Sequence, residues 1–232
     1  MKNPDIKKMF ETIAEGYDFQ NRFLSLRVDT WWRKMMVKNM ECPPHGMVLD
    51  VATGTAEIAI EIVKQRAGLR VVGGDFSPSM LKIGLRKVKK KGFDDKIRLF
   101  IGDARNLPFR ESQFDALTIA FGIRNIKERE VTLKEFYSVL KPGGQLIIME
   151  FGLPRTPIVG NLYQFYFNKI LPKFGDIISR TGYAYTYLSD SVHRFPAPED
   201  FIRMVEEAGF QKVRIKKLTF GCALLFIATK AY

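Results

Sequence analysis

From residue 47 onward, short apolar runs alternate with stretches whose apolar residues fall three and four apart. Residues 47–52 form a continuous run of the kind a buried strand presents. Residues 56–66 follow with Ile58, Ile62 and Val63 at helical spacing. A second strand is predicted over 69–73, closing on Gly74-Asp75, and a helix over 78–90 with Ser77 as N-cap ahead of Pro78. Strands over 97–101 and 114–120, a helix over 128–140 stopped by Lys141-Pro142-Gly143-Gly144, and a fifth strand over 145–151 complete the series. Such alternation implies right-handed βαβ units and a doubly wound parallel sheet, an α/β fold.

The pattern then changes. A helix over 199–208 is closed by Gly209, and two strands over 211–219 and 222–229 are separated only by Phe220-Gly221. So short a link permits an antiparallel hairpin and excludes a helical crossover. Two segments lie outside this core. Residues 1–44 carry an amphipathic helix with Met9, Phe10, Ile13 and Tyr17 on one stripe, an N-terminal helical cap. Residues 153–198 are dense in Tyr and Phe, among them Tyr163, Phe165, Phe167, Tyr183, Tyr185 and Tyr187. That stretch is too long for a simple connection and is expected to be a helical lid over the strand ends. The chain thus divides as one domain, 1–232, with cap 1–44, core 45–152, lid 153–198 and C-terminal helix and hairpin 199–232.

With 232 residues, 46% hydrophobic and 27% charged, the chain has apolar surface enough to fold. No apolar run reaches the 18–20 or so residues of a spanning helix, and the first residues lack a signal-peptide core, so a cytoplasmic location is expected. Cys42 and Cys222 stand far apart without CxxC spacing and read as ordinary thiols; no metal site is expected. The net charge is +12. Its densest run, Arg86-Lys87-Val88-Lys89-Lys90-Lys91, ends a predicted helix, where cations complement the dipole; a nucleic-acid partner is not expected. His193 reads as a surface residue.

The first strand runs through Asp50-Val51-Ala52-Thr53-Gly54-Thr55-Ala56-Glu57 into a helix. This small-residue turn lets backbone N–H groups approach a ligand at the switch point of the sheet, but with one glycine it is not a pyrophosphate turn. Asp75, ending the second strand, suits ribose hydroxyls of NAD or of an adenosine-containing cofactor. Asp103, ending the third, suits an adenine amino group.

Taken in order, DVATGTAEIA, GDFSPSML, GDARNLPF, FDALTIAFGIRN and LKPGGQLIIMEF resemble class I S-adenosylmethionine methyltransferases. FGIRN, the N-terminal pattern Phe10, Ile13-Ala14, Tyr17-Asp18, Asn21, and Tyr187-Leu188, Ser191, Phe195-Pro196 and Ala208-Gly209-Phe210 narrow the resemblance to the menaquinone/ubiquinone C-methyltransferase family (UbiE/MenG). The resemblance implies S-adenosyl-L-methionine as cofactor, held by Asp50, Gly54, Thr55, Asp75, Phe76, Asp103, Ala104 and Ala120. It implies a prenylated quinol facing Arg124 and Asn125, with Tyr17 closing over the methionine end. The implied reaction is C-methylation of demethylmenaquinol to menaquinol, with the benzoquinol step of ubiquinone synthesis beside it; the alternative is a methyltransferase for another small polyphenol or lipid. A bilayer-held substrate also implies peripheral contact with a membrane surface, and a homodimer is among the assemblies considered. Two positions depart from the pattern. Ala56 adds a methyl where the family turn has glycine, and Leu26-Arg27-Val28-Asp29 replaces a glycine after the serine-leucine pair.

Overall fold

The structure is a computed structural model that describes residues 6–25, 27–154, 160, 161, 163, 165 and 184–232. Its centre is a seven-stranded sheet in the order β3-β2-β1-β4-β5-β7-β6. The strands are β1 (Met47–Val51), β2 (Arg70–Asp75), β3 (Ile97–Ile101), β4 (Phe114–Ala120), β5 (Leu140–Phe151), β6 (Phe210–Leu218) and β7 (Ala223–Lys230). The first five pair in parallel; β7 runs antiparallel between β5 and β6, and the link from β6 to β7 is the four residues 219–222 where two were expected.

Alternate residues of the central strands face opposite sides, so each strand feeds two cores. Val48, Ala116, Ile147 and Leu225 join one, with helices α3 (Val28–Lys38) and α4 (Glu57–Gln65) and Val88 of α5 (Pro78–Lys90). Leu49, Leu117, Ile148 and Phe226 join the other, under α6 (Arg129–Val139) and α8 (Pro198–Glu207). Ser77 caps α5 as expected, its hydroxyl accepting from Met80 N–H.

The N-terminal helical cap expected from the sequence comprises three α-helices. α1 (Ile6–Ile13) tightens into a 3₁₀ turn at Ala14–Gly16, α2 (Tyr17–Leu24) follows, and α3 docks on the sheet. Tyr17 therefore opens α2 instead of continuing the stripe of α1. Met9, Ile13 and Ala14 pack with Met80, Ala184 and Val192, joining the cap to α5 and to α7 (Ala184–His193). β5 begins five residues earlier than predicted: Lys141-Pro142-Gly143-Gly144 forms an irregular lead-in, with the register shifting between Phe114 and Ala116. The aromatic segment expected to be a lid falls largely outside the described residues; Tyr163, Phe165 and α7 lie within them. No helix among the described residues is long and apolar enough to cross a membrane.

Candidate active site

Strand order reverses between β1 and β4, which opens a crevice at their carboxyl ends. Both strands leave through strained backbone. Ala52 and Phe121 hold φ of 52° and 56°, left-handed values that side chains other than glycine seldom adopt. A Cβ at Gly122 would stand 2.7 Å from the Ala52 methyl, so the two strand ends abut.

The turn after β1 is built from beneath and from the side. Asp50 lies under it, accepting the Thr53 hydroxyl at 2.5 Å and the Thr118 hydroxyl at 2.8 Å. Burial pushes its carboxyl up to about 7 against those two donors. From β2, Asp75 accepts the N–H of Gly54 at 2.8 Å and of Ser77 at 2.9 Å. Burial raises its carboxyl too, with the backbone donors pulling the other way. Gly54 sits at φ +54°, and a Cβ there would meet no protein atom within 4 Å.

A cavity of about 610 Å³ opens above this turn, lined by Gly54, Asp75, Phe76, Asp103, Ala104 and Ala120, with Tyr17 and Asn125 at its edge. Eight of the residues expected at the site therefore share one cavity. Asp50 and Thr55 do not line it. Asp50 is spent on the turn's underside. The Thr55 hydroxyl instead donates to Asp18 of α2 at 2.6 Å and accepts from Lys87 at 3.1 Å. Ala56, at φ 63°, is wholly buried; its methyl faces Gly84 of α5 and intrudes on neither cavity. Asp103 is chelated by Arg105 (Nε–Oδ1 3.0 Å, Nη2–Oδ2 2.7 Å), which holds its carboxyl below the ordinary range.

A second cavity, about 310 Å³, adjoins the first and shares Phe10, Tyr17 and Phe121 with it. Most of its wall is apolar: Met9, Ile13, Val28, Trp32, Phe151 and Leu188. Tyr17, Asn21, Ser25, Asp29, Arg33 and Arg124 add polar groups. Arg124 and Asn125, expected to face one ligand together, divide between the two cavities. The 3₁₀ turn Ile123–Asn125 explains this, because successive residues of so tight a turn point about a third of a revolution apart. Arg124 pairs with Glu150 at 3.0 Å, donates to Phe121 O, and lies 5.3 Å over the Phe151 ring. Asn125 Oδ1 accepts the Tyr187 hydroxyl at 3.0 Å. Burial raises the Tyr17 and Tyr187 phenols above their ordinary value despite nearby Arg124. His193 is exposed, with Nδ1 on Ser189 O, and takes no part.

Sequence reasoning assigned no role to Glu150, Asp29, Arg33 or Lys87. A signal existed for Glu150: it is a lone acid inside the apolar run Leu146–Phe151, and an unpaired charge is not buried. Lys87 was read as part of a solvated basic run. It is instead the hub joining α2 to the core, pairing with Asp18 at 2.8 Å and with Glu57, which also meets Arg22 at 3.2 Å. Burial alone would raise the Glu57 carboxyl, but these cations outweigh it and leave it lowered.

A parallel sheet with an antiparallel β7, an acid at the end of β2 and a cavity over the β1 turn define a class I methyltransferase. An S-adenosylmethionine-dependent methyltransferase from Thermotoga maritima shares the fold with a TM-score of 0.66 at 20% identity, over 97% of this chain and 99% of that one. At the level of sequence, the profile of the ubiE/COQ5 methyltransferase family matches residues 1–230, and the chain belongs to that family. Two relatives span almost the same length. The ubiquinone/menaquinone biosynthesis C-methyltransferase UbiE of a Geobacter species is 44% identical over 99% of this chain and 97% of its own. The demethylmenaquinone methyltransferase of Thermus thermophilus is 43% identical over 96% of this chain and all of its own.

Proposed function

We propose that this methyltransferase C-methylates a prenylated quinol, converting demethylmenaquinol to menaquinol, with S-adenosyl-L-methionine in the larger cavity and the quinol ring in the apolar one. The observation that carries the reading is the pair of adjoining cavities, one ringed by the cofactor motifs and one apolar with a buried arginine in its wall. The relatives' names supply the substrate class.

The donor set fits the cofactor. Asp75 keeps lone pairs for ribose hydroxyls after accepting the two backbone N–H groups, and the open space at Gly54 admits a ligand against backbone. Phe76, Asp103, Ala104 and Ala120 would complete that wall. When bound, S-adenosylmethionine supplies an electrophilic sulfonium methyl. On the quinol side, ring carbon becomes nucleophilic when a neighbouring hydroxyl loses its proton. Arg124 offers that oxygen a fixed charge and a donor, in a site where low dielectric strengthens both. Because burial raises the Tyr17 phenol, Tyr17 keeps its proton at neutral pH and acts as a donor to the ring or a water. Asn125, its carbonyl held by Tyr187, presents its amide toward the cofactor side. Phe10 and Tyr17 of the cap line both cavities, and Ala184, Tyr187 and Leu188 of α7 line the apolar one.

Contact with a membrane surface belongs to the same reading. Phe19, Trp31, Phe165 and Phe220 are 68%, 47%, 58% and 73% exposed, and the chain carries a charge of +12. Exposed aromatic rings and cations suit an anionic bilayer that holds the prenyl tail. Methyl-transfer assays across reduced naphthoquinols and benzoquinols test the function. Transfer to carbon of a naphthoquinol is expected; transfer to neither class would sink the proposal.

A further inference from the structure

Two buried side-chain polar atoms among the described residues have no hydrogen-bond partner, Asp29 Oδ2 and Arg124 Nε, and both residues line the apolar cavity. Folded proteins leave few such atoms, since each has given up the water that satisfied it in the unfolded chain. The two are complementary: Arg124 Nε–H is a donor and Asp29 Oδ2 an acceptor. Asp29 is 5% exposed. Its Oδ1 accepts the Ser25 hydroxyl at 2.8 Å. Arg33 Nη1 lies 2.8 Å from Oδ2 as an ion pair, but outside hydrogen-bond geometry. Arg33 balances the charge of Asp29, and Oδ2 keeps a lone pair for a further donor.

We infer that Asp29 is a specificity residue: it accepts a hydrogen bond from a ring hydroxyl, and so admits the reduced, hydroxyl-bearing ring and rejects the oxidised, carbonyl-bearing one. The inference rests on the quinol reading above. A hydroquinone carries O–H donors, whereas a quinone carries only acceptors. A carbonyl oxygen placed against Oδ2 would set two acceptors face to face in a dry pocket, and each would lose its hydration without return. Arg124 does not make this distinction, because its N–H can donate to a hydroxyl oxygen and to a carbonyl oxygen alike. Discrimination therefore falls to the acceptor.

The polar groups are placed for a ring held by both its oxygens. Tyr17 and Asn21 stand four apart on one face of α2, Ser25 follows four further on, and Ser25 meets Asp29. Tyr17 lies within the influence of both Arg124 and Arg33. Tyr17, Asn21, Ser25, Asp29 and Arg124 thus all line the same cavity, whose remaining lining is mostly apolar. One charge-assisted hydrogen bond gained or lost corresponds to roughly 10–100-fold in affinity.

The test is equilibrium binding by calorimetry, without cofactor and without oxygen, of 1,4-dihydroxynaphthalene and of 1,4-naphthoquinone. Wild type should bind the dihydroxy ring roughly 10–100-fold more tightly. In Asp29→Asn the new amide N–H can donate to a carbonyl, so the ratio should collapse or reverse. Asp29→Glu keeps the acceptor and should keep the preference. Equal weakening of both rings in Asp29→Asn would overturn the inference and leave Asp29 as packing for Ser25 and Arg33. A wild-type protein that methylates the quinol yet binds both rings alike would also overturn it, whether or not the variants fold. Binding of neither ring by wild type would overturn the quinol reading itself, and this one with it.

Discussion

Glu150 holds Arg124 at three points. Its Oε2 lies 3.0 Å from Nη1, its Oε1 lies 3.3 Å from the same nitrogen, and Oε1 also accepts the Arg124 backbone N–H at 3.2 Å. Side-chain exposure is 6% for the arginine and 1% for the acid. Removing one member of a buried pair strands the other, at a cost of about 3–5 kcal/mol. Glu150→Gln should therefore lower stability on that scale in denaturant melts, and lose methyl transfer beyond what the lost folded fraction explains. An unchanged melting profile would show that the pair contributes nothing net.

Arg124 itself is best probed by Arg124→Lys, which keeps the charge opposite Glu150 but loses the planar fork. Removing a charge-stabilising donor typically slows a reaction about 10²–10³-fold. Single-turnover methylation of a reduced naphthoquinol should slow on that scale or somewhat less, while S-adenosylmethionine binding persists. Near-wild-type rates would remove Arg124 from the chemistry.

Asp75→Asn addresses the cofactor. The amide still offers one acceptor, but replaces a charge-assisted bond to Gly54 or to ribose with a weaker one or a clash. Binding of S-adenosylmethionine by calorimetry should weaken by about 1–3 kcal/mol. Unaltered affinity would count against the ribose role.

Lys87→Met should loosen the cap. It leaves Asp18 and Glu57 without their shared cation at half-buried positions, a loss of roughly 1–3 kcal/mol. Amide exchange should rise across α1 and α2 while β1, β4 and β5 stay protected. Uniform loss of protection would mean that Lys87 supports the whole fold and not the cap.

Asp50 makes a pH signature. Its folded-state value is raised to about 7 from an ordinary 3.8, so the folded protein binds this proton more tightly than the unfolded chain. The resulting stabilisation is complete below about 4 and is lost as pH rises through about 7. Asp50→Asn has no such proton. The stability of wild type relative to this variant should fall between pH 4 and 7 and level off above. A constant difference across that window would show that Asp50 stays ionised in the fold.

The sheet was legible because its signals are local and repeated: continuous apolar runs in the strands, Ser77-Pro78 at a helix start, and a link too short for a crossover. The larger cavity was legible because many of its residues sit at strand ends, where topology alone brings them together. The apolar cavity was not. Its polar groups come from α2, α3, the β4 exit and β5, and no spacing in the chain foretells that Asp29 and Arg124 share a wall. The division of Arg124 from Asn125 depends on a 3₁₀ turn that FGIRN does not announce. Asp50 and Thr55 stand outside the cavity lining for a related reason. A motif names the residues of a turn, but not which of them face the ligand and which hold the turn from behind.

The indole of Trp32 donates to the Thr219 hydroxyl at 2.8 Å, across 187 positions of sequence. Trp32, Met36 and Val37 bury against Leu218, Ala223, Leu225 and Ile227, the final strands of the sheet. α3 is made well before these strands, so the part of its apolar stripe that meets them stays uncovered until they emerge. A chain stopped short of β6 and β7 loses its hairpin and also part of the seat of α3.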